Sequence, residues 1–313
     1  MVSFIVPAYN ATKTIKKSIS SILNQVGTKL DYEIIIVDDG SKDNLRKKLN
    51  ECFDPSELQY ISYYRTENHG LSAARNYGVK KSHGDYLIFV DSDDFVSNKL
   101  LRDIELFINK NYDLIKWSPI VVNDGDILKT DTNEFEETTG EEGFNKLFCT
   151  DPLMMCAWNY AIKKDIFIEF PEGKYHEDFA VIPLMMLNAK TMVITDKLEY
   201  YYNVSQNSKS ITKEKNKRKQ KQRYKDLFEN FDNLIKTTKE NDDLLDYTKE
   251  NVGIFACNCL LQTLKETKGR NRAFYKKELA KRNISQYIVP RNFKQRVKKI
   301  ILKLLYSNVW NRI

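Results

Sequence analysis

Gly84-Asp85-Tyr86-Leu87-Ile88-Phe89-Val90-Asp91-Ser92-Asp93-Asp94 joins an apolar run to three carboxylates within four positions. Tyr86 to Val90 is too short for a helix and rich in aromatic and β-branched residues, which predicts a strand buried on both faces. Its carboxyl end is Asp91, and in open α/β sheets ligands gather outside the carboxyl ends of the strands. Carboxylates this close repel one another unless a cation sits among them. Asp91 and Asp93 suit Mg²⁺ or Mn²⁺, hard ions that take one or two carboxylates together with substrate phosphates and water. The same residues also suit a polar turn capping a helix from about Ser97 to Lys110, and for an isolated Asp-Ser-Asp that is the default.

The surrounding chain repeats the pattern. Val2 to Val6 is predicted as a first strand, stopped by Pro7, before a loop Ala8-Tyr9-Asn10 and a helix capped by Thr12 and running to Gln25. A second strand, Tyr32 to Val37, ends in Asp38-Asp39-Gly40-Ser41, with Asp43 placed to cap a helix over 44–53. Leu58 to Tyr64 supplies a third strand, and a helix beginning near Gly70 carries Arg75. Alternation at βαβ lengths predicts a mostly parallel twisted sheet with right-handed crossovers. Its polar strand ends, Tyr9/Asn10, Asp38/Asp39 and Asp91/Asp93, are expected at one edge. No GxGxxG follows the first strand and no GxxxxGK[ST] occurs, so a bound nucleotide would need a metal, not a glycine loop, for its diphosphate.

Length and composition set outer bounds. The 313 residues, 42% hydrophobic and 30% charged, form a sizeable core and exclude a disordered chain. Met1 leads straight into Val2–Val6 without a basic n-region or cleavage site, and no apolar run reaches the ~18–20 residues of a membrane span. A cytoplasmic protein is expected. The five cysteines and three histidines lack metal-ligand spacing. The net charge of +7 equals the seven basic residues between Arg291 and Ile313, a stretch without acids. Phe293, Val297, Ile300, Ile301, Leu304 and Leu305 repeat there at helical spacing among lysines. Such a helix fits a membrane surface or packing on the domain or another subunit, and no nucleic-acid motif accompanies it.

Four stretches in order resemble the family 2 glycosyltransferases of the GT-A fold: Pro7-Ala8-Tyr9-Asn10, Val37-Asp38-Asp39-Gly40-Ser41-x-Asp43, Asn68-x-Gly70-Leu71-Ser72-x-Ala74-Arg75-Asn76 and Val90-Asp91-Ser92-Asp93-Asp94. The resemblance implies a Rossmann-like, mostly parallel α/β sheet flanked by helices over residues 1–212, with a helical extension over 213–313. It implies that Pro7, Ala8, Tyr9, Asn10, Asp38, Asp39, Asn68, Gly70, Arg75, Asp91 and Ser92 hold a nucleotide-sugar, most simply a UDP-sugar. Within that set the Asp39 position bonds uracil, Arg75 helps hold the nucleotide and Asp91 faces the ribose. Asp93, with Asp91, would bind Mn²⁺ or Mg²⁺ on the diphosphate.

The resemblance continues beyond residue 150, to the non-processive type that builds bacterial cell-surface glycans. Trp158-Asn159, Phe170-Pro171-x-Gly173 leading to Glu177-Asp178, Tyr200-Tyr201-Tyr202 and Ser210-Ile211-Thr212 carry it. Apolar Phe179, Ile182, Met185 and Met186 place Glu177 and Asp178 at the start of a helix, where a carboxylate is favoured by the dipole whether it caps or catalyses. The family assigns the Asp178 position as general base, with Glu177 beside it, and implies inversion. Relatives carry an arginine soon after the tyrosines where this chain has Asn203, which leaves Lys209 and Ser210 as candidates for diphosphate or acceptor contacts. Trp158 and His176 join them, His176 serving equally as a local polar contact. The implied acceptor is a cell-surface or lipid-linked glycan reached from the inner face of the membrane. A sugar-phosphate nucleotidyltransferase would need a glycine-rich basic loop after the first strand. A non-catalytic glycan-binding scaffold would not need Asp91, Asp93 and Asp178 together.

Overall fold

The computed structural model describes residues 1–122, 134–204 and 216–287, together with 296, 297, 299 and 300. Within these, β1 (Val2–Ala8), β2 (Tyr32–Asp39), β3 (Ile61–Thr66) and β4 (Tyr86–Phe89) form a parallel set in the order β3-β2-β1-β4. Helices α1 (Ile15–Leu23), α2 (Leu45–Cys52), a single turn α3 (Pro55–Leu58) and α4 (Leu71–Lys81) make the crossovers. β1 does not stop at Pro7. Proline lacks only the N–H, and Pro7 and Ala8 keep their register opposite Val37 and Asp38. Alternate β1 residues serve opposite cores: Val2, Phe4 and Val6 pack with α1 and α2, and Ile5 with the other face. That two-sided burial is why the strands read as unbroken apolar runs.

Other boundaries shift for local reasons. α1 starts after Thr14, and Thr12 instead donates its backbone N–H to Asp43 at 3.1 Å. Asn44, not Asp43, caps α2. Leu58 closes α3, whose Asp54/Glu57 capping box uses it up before β3 begins at Ile61. The helix after the acidic loop is α5 (Leu100–Asn109), capped at Lys99, so Ser92, Asp93 and Asp94 are not its cap.

Beyond α5 the sheet becomes mixed. β5 (Phe95–Val96) and β7 (Phe135–Thr138) lie antiparallel along β9 (Met192–Asn203), β6 (Leu114–Val122) runs parallel to β9, and β8 (Tyr160–Lys163) is antiparallel between β4 and β6. The tyrosine element thus lies inside a strand. The polar excursion expected over 120–139 falls partly outside the described residues. α6 (Gly140–Leu147) and α7 (Glu177–Asn188) cover the second core. Three more helices, α8 (Lys217–Glu240), α9 (Asp246–Glu266) and α10 (Gly269–Lys281), pack on that same core: Phe255 of α9 lies 5.8 Å from both Phe144 and Phe179, ring to ring. No helix among the described residues is long and apolar enough to cross a membrane.

Candidate active site

The loops after β1 and β2 are stitched together at the carboxyl edge of the parallel strands. Asn10, left-handed at φ 52°, donates its N–H to Ser41 Oγ at 2.9 Å and accepts from the Lys42 N–H at 2.8 Å. Asn is among the few residues that tolerate this conformation. Pro7 and Ala8 are buried strand residues, whereas Tyr9 is 48% exposed and faces out beside them.

Asp38 and Asp39 divide their labour. Asp38 is fully buried; its carboxylate accepts from the Ser41 N–H at 2.8 Å, the Tyr63 hydroxyl at 2.5 Å and Arg65 at 3.2 Å. Having no exposed atom to offer a donor, it holds the loop from within. The same contact pushes the Tyr63 hydroxyl up to about 12, burial first and the acid second. Asp39 accepts from the N–H groups of His69 and Gly70 at 2.8 and 2.9 Å, and Asn68 donates to its carbonyl at 2.9 Å. Gly70, at φ 93°, takes a backbone conformation closed to other residues and opens α4.

α4 lies close to the sheet because Gly78 has no side chain: a Cβ there would come within 2.5 Å of Ile5. The closeness carries Arg75 beneath the site, where it is 1% exposed. Its Nη1 donates to Glu177 Oε1 at 3.0 Å and Asp178 Oδ1 at 2.6 Å, and its Nη2 to Asp91 Oδ1 at 3.1 Å. The rings of Phe170 and Phe89 lie 5.2 and 5.8 Å from the guanidinium. Arg75 is therefore an internal cation that gathers three acids from two distant parts of the chain. The motif expectation had it helping to hold nucleotide; here its side chain is committed to protein carboxylates. Its neighbour Asn76 exchanges two hydrogen bonds of 2.9 Å with the Phe170 backbone, a contact the sequence did not reveal.

Glu177 and Asp178 open α7 after His176, which is left-handed at φ 59°. Asp178 Oδ2 also accepts from the Ala157 N–H at 3.2 Å. Burial raises the carboxyls of both acids, and Arg75 pulls them back; Glu177 rests at about 7, its neighbour Asp178 adding to the upward push. His176 is pushed down to about 4, by burial and then by Arg223, and is neutral. Its Nε2 is buried and makes no hydrogen bond among the described residues.

In the acidic loop the three aspartates differ. Asp91 has a side chain 28% exposed with one oxygen on Arg75. Asp93 accepts from Asn203 Nδ2 on its backbone carbonyl at 3.4 Å, while its carboxylate makes no hydrogen bond or ion pair with another described residue, and burial and then Asp91 raise its carboxyl. Asp94 is 3% exposed and both its oxygens are used, one by the Tyr200 hydroxyl at 2.8 Å and one by the Asn203 N–H at 2.8 Å. Burial, then Asp91, raises it to about 8. It is an anchor for the end of β9. The Tyr200 hydroxyl accepts in turn from the Asp91 N–H at 3.1 Å, and Trp158, 4% exposed, stacks on Tyr200 and Tyr202 at 4.6 and 5.2 Å. Trp158 thus braces this loop from below. Ser92 is half-buried in it, and Lys209 and Ser210 lie outside the described residues.

Among the described residues no group of three or more His, Cys, Asp or Glu could hold a metal ion unaided. Asp93 and the outer oxygen of Asp91 nonetheless fit a divalent cation that draws its other ligands from a diphosphate and water, the habit of Mg²⁺. The acidic loop thus presents one exposed and one raised carboxylate at the carboxyl end of β4, over the buried Arg75 that also holds Asp178.

The comparisons place this fold within a known family. Residues 3–170 match glycosyl transferase family 2, and the chain belongs to that family. It is 29% identical over 205 residues to poly(ribitol-phosphate) β-N-acetylglucosaminyltransferase TarS of Staphylococcus aureus (strain Mu50), covering 64% of this chain and 35% of that protein. It is 35% identical over 129 residues to an Escherichia coli UDP-Glc:α-D-GlcNAc-diphosphoundecaprenol β-1,3-glucosyltransferase, WfgD, covering 41% of this chain and 49% of the relative. The chain thus spans a third to a half of the length of these relatives. The crystal structure of S. aureus TarS 1-349 in complex with UDP-GlcNAc superposes with a TM-score of 0.70 at 19% identity, covering 99% of this chain and 92% of that one. The fold is GT-A, with α8–α10 as its carboxyl-terminal helices.

Proposed function

We propose that this glycosyltransferase moves a sugar, with inversion, from a UDP-sugar to a hydroxyl of a cell-surface glycan such as a teichoic acid, and that the reaction needs Mn²⁺ or Mg²⁺. The observation that carries the reading is the cluster Asp91–Arg75–Asp178, in which the candidate base shares one guanidinium with the donor-side loop. Asp178 takes the proton of the incoming hydroxyl, and one positioned base contributes on the order of 10²–10⁴ in rate. Glu177, neutral or charged near pH 7, sets the field around it. Asp39, bonded by two N–H groups, has a fixed carboxylate for the base, and Asp91 remains for the ribose. Asp93 and Asp91 would hold the cation, whose charge when bound would neutralise the leaving diphosphate.

The acceptor class rests on the relatives' printed activities, toward poly(ribitol phosphate) and a diphosphoundecaprenol-linked sugar. A basic amphipathic segment over 291–313 supports work at a membrane surface. Of it only four residues are described, and Val297 and Ile300 are exposed among them, at 37% and 58%. The test is a screen of UDP- and other nucleotide-sugars for release of nucleoside diphosphate, with Mn²⁺ and then with EDTA. Release from one donor, lost with EDTA, is expected. Release undiminished in both Asp93→Asn and Asp178→Asn would exclude the assignment.

A further inference from the structure

The helix α8 looks like an appendage, yet two of its side chains hold the residues that lead into Glu177 and Asp178. Asn230, with no exposed surface, donates through Nδ2 to the carbonyls of Tyr175 at 3.0 Å and His176 at 2.9 Å. One turn earlier Asp226, 2% exposed, accepts the Tyr175 N–H on Oδ2 at 3.2 Å, and its Oδ1 is held by Gln222 at 2.7 Å. Spacing of four along a helix puts Gln222, Asp226 and Asn230 on one stripe. Outside the barrel of that stripe, Lys174 pairs with Glu229 at 2.9 Å. Every backbone hydrogen-bonding group of Tyr175, and the carbonyl of His176, is therefore set by α8.

The clamp grips the point where geometry is hardest to keep. His176 is left-handed, an uncommon conformation for a residue with a Cβ, and the direction in which α7 starts follows from it. Asp178 lies two residues on and is 2.6 Å from Arg75. A backbone turn at His176 that relaxes toward an ordinary conformation would swing both acids off the guanidinium and Asp178 off the Ala157 N–H.

We propose that Asn230, with Asp226, is a positioning residue for the catalytic helix: α8 fixes the His176 turn and thereby aims Asp178 at the acceptor hydroxyl. This rests on the assignment of Asp178 as base. The hydrogen bonds of the clamp go to Tyr175 and His176 and not to the loops after β1, β2 and β4, so its first effect is on turnover, with nucleotide binding reached only through Arg75.

The test compares full-length Asn230→Asp, Asp226→Asn and Thr238→Val with the wild type, measuring kcat for donor turnover, UDP dissociation constant and thermal midpoint. Asn230→Asp keeps the volume and replaces two donated bonds by a carboxylate facing two carbonyls. Its kcat is expected to fall on the order of 10–100-fold, as for a misplaced catalytic group, with UDP affinity within about twofold. Asp226→Asn keeps an acceptor for Tyr175 and stays near wild type. Thr238→Val, buried on the same helix and bonded only to Leu234 of its own helix, reports destabilisation alone. If Asn230→Asp does not accumulate folded, Asn230→Ala gives the same comparison without charge. Wild-type kcat in the Asn230 variants, or kcat and UDP affinity falling together, overturns the inference. A wild type that turns over no nucleotide-sugar fails the functional assignment instead, which separates the two.

Discussion

Arg75 Nη1 lies 2.6 Å from Asp178 Oδ1, across 103 residues of chain, and the same guanidinium reaches Asp91 at 3.1 Å. A buried cation with three acid partners is compensated only while it is present. Removing one partner of such a cluster costs about 3–5 kcal/mol, because the remaining charges stay buried and unpaired. Arg75→Met should lower the thermal midpoint by a margin that reflects that range, as well as abolish transfer. Arg75→Lys keeps a charge but loses the planar fork that serves three acids at once, and should recover part of the stability and little of the activity. Equal midpoints for wild type and Arg75→Met would contradict the clamp.

The same cluster sets a pH dependence whose two consequences oppose each other. Burial raises the Asp178 and Glu177 carboxyls, Glu177 to about 7, so the active, deprotonated cluster fills as pH rises through neutrality. Turnover should climb between about pH 6 and 8 and then level. For stability the sign reverses. An acid whose folded value is raised binds protons that the unfolded chain, near the ordinary glutamate value of about 4.3, releases. Its contribution is complete below that value and is lost as pH rises through about 7. Glu177→Gln should therefore flatten the fall of the thermal midpoint between about pH 5 and 8, read by calorimetry.

Much of this was legible beforehand, and the parts that were not share a cause. The strands from Val2, Tyr32 and Tyr86 announce themselves because both faces are buried, so apolar residues follow one another with only Ser3 and Glu33, bonded to each other, near their beginnings. The family resemblance named Asp39, Asp91, Asp93 and Asp178 in order, and the structure sets Asp91 and Asp178 on one guanidinium. It could not show which way a side chain turns: Asp38 and Asp39 are adjacent, alike in sequence and both buried, yet one turns to Tyr63 and Arg65 and the other to the backbone that opens α4. Nor could it show that Asp94 is tied to Tyr200 and Asn203, which belong to a strand that the sequence marked only by its run of tyrosines. Asn230 and Asp226 were invisible for a related reason. In a helix rich in Lys and Glu, a polar stripe looks like solvent-facing surface, and only the i, i+4, i+8 spacing of Gln222, Asp226 and Asn230 hinted otherwise.

Asp94 anchors β9 to the acidic loop, and its removal leaves the Tyr200 hydroxyl and the Asn203 N–H without their acceptor. Asp94→Ala should cost about 1–3 kcal/mol, the usual penalty for buried donors left unsatisfied. Asp94→Asn keeps an oxygen for Asn203 and replaces a carboxyl that burial already holds largely protonated at neutral pH, so it should lie close to wild type in denaturant midpoint. A loss as large for Asn as for Ala would mean that the second oxygen, on the Tyr200 hydroxyl, carries the anchor.

Metal dependence is expected to divide Asp93 from Asp178. The Asp93 carboxylate makes no hydrogen bond or ion pair with another described residue, whereas that of Asp178 is tied to Arg75 and Ala157. Titration of UDP into the wild type by calorimetry should tighten at least tenfold on adding Mn²⁺, and EDTA should reverse it. Asp93→Asn should lose that gain while binding UDP weakly as the metal-free wild type does, because its carboxylate serves the cation and supports no other residue. Asp178→Asn should keep the Mn²⁺ effect intact and lose on the order of 10²–10⁴ in turnover. The reverse pattern, with Mn²⁺ tightening UDP equally in Asp93→Asn, would move the cation away from the Asp91–Asp93 loop and leave its neutralising role to another part of the cleft.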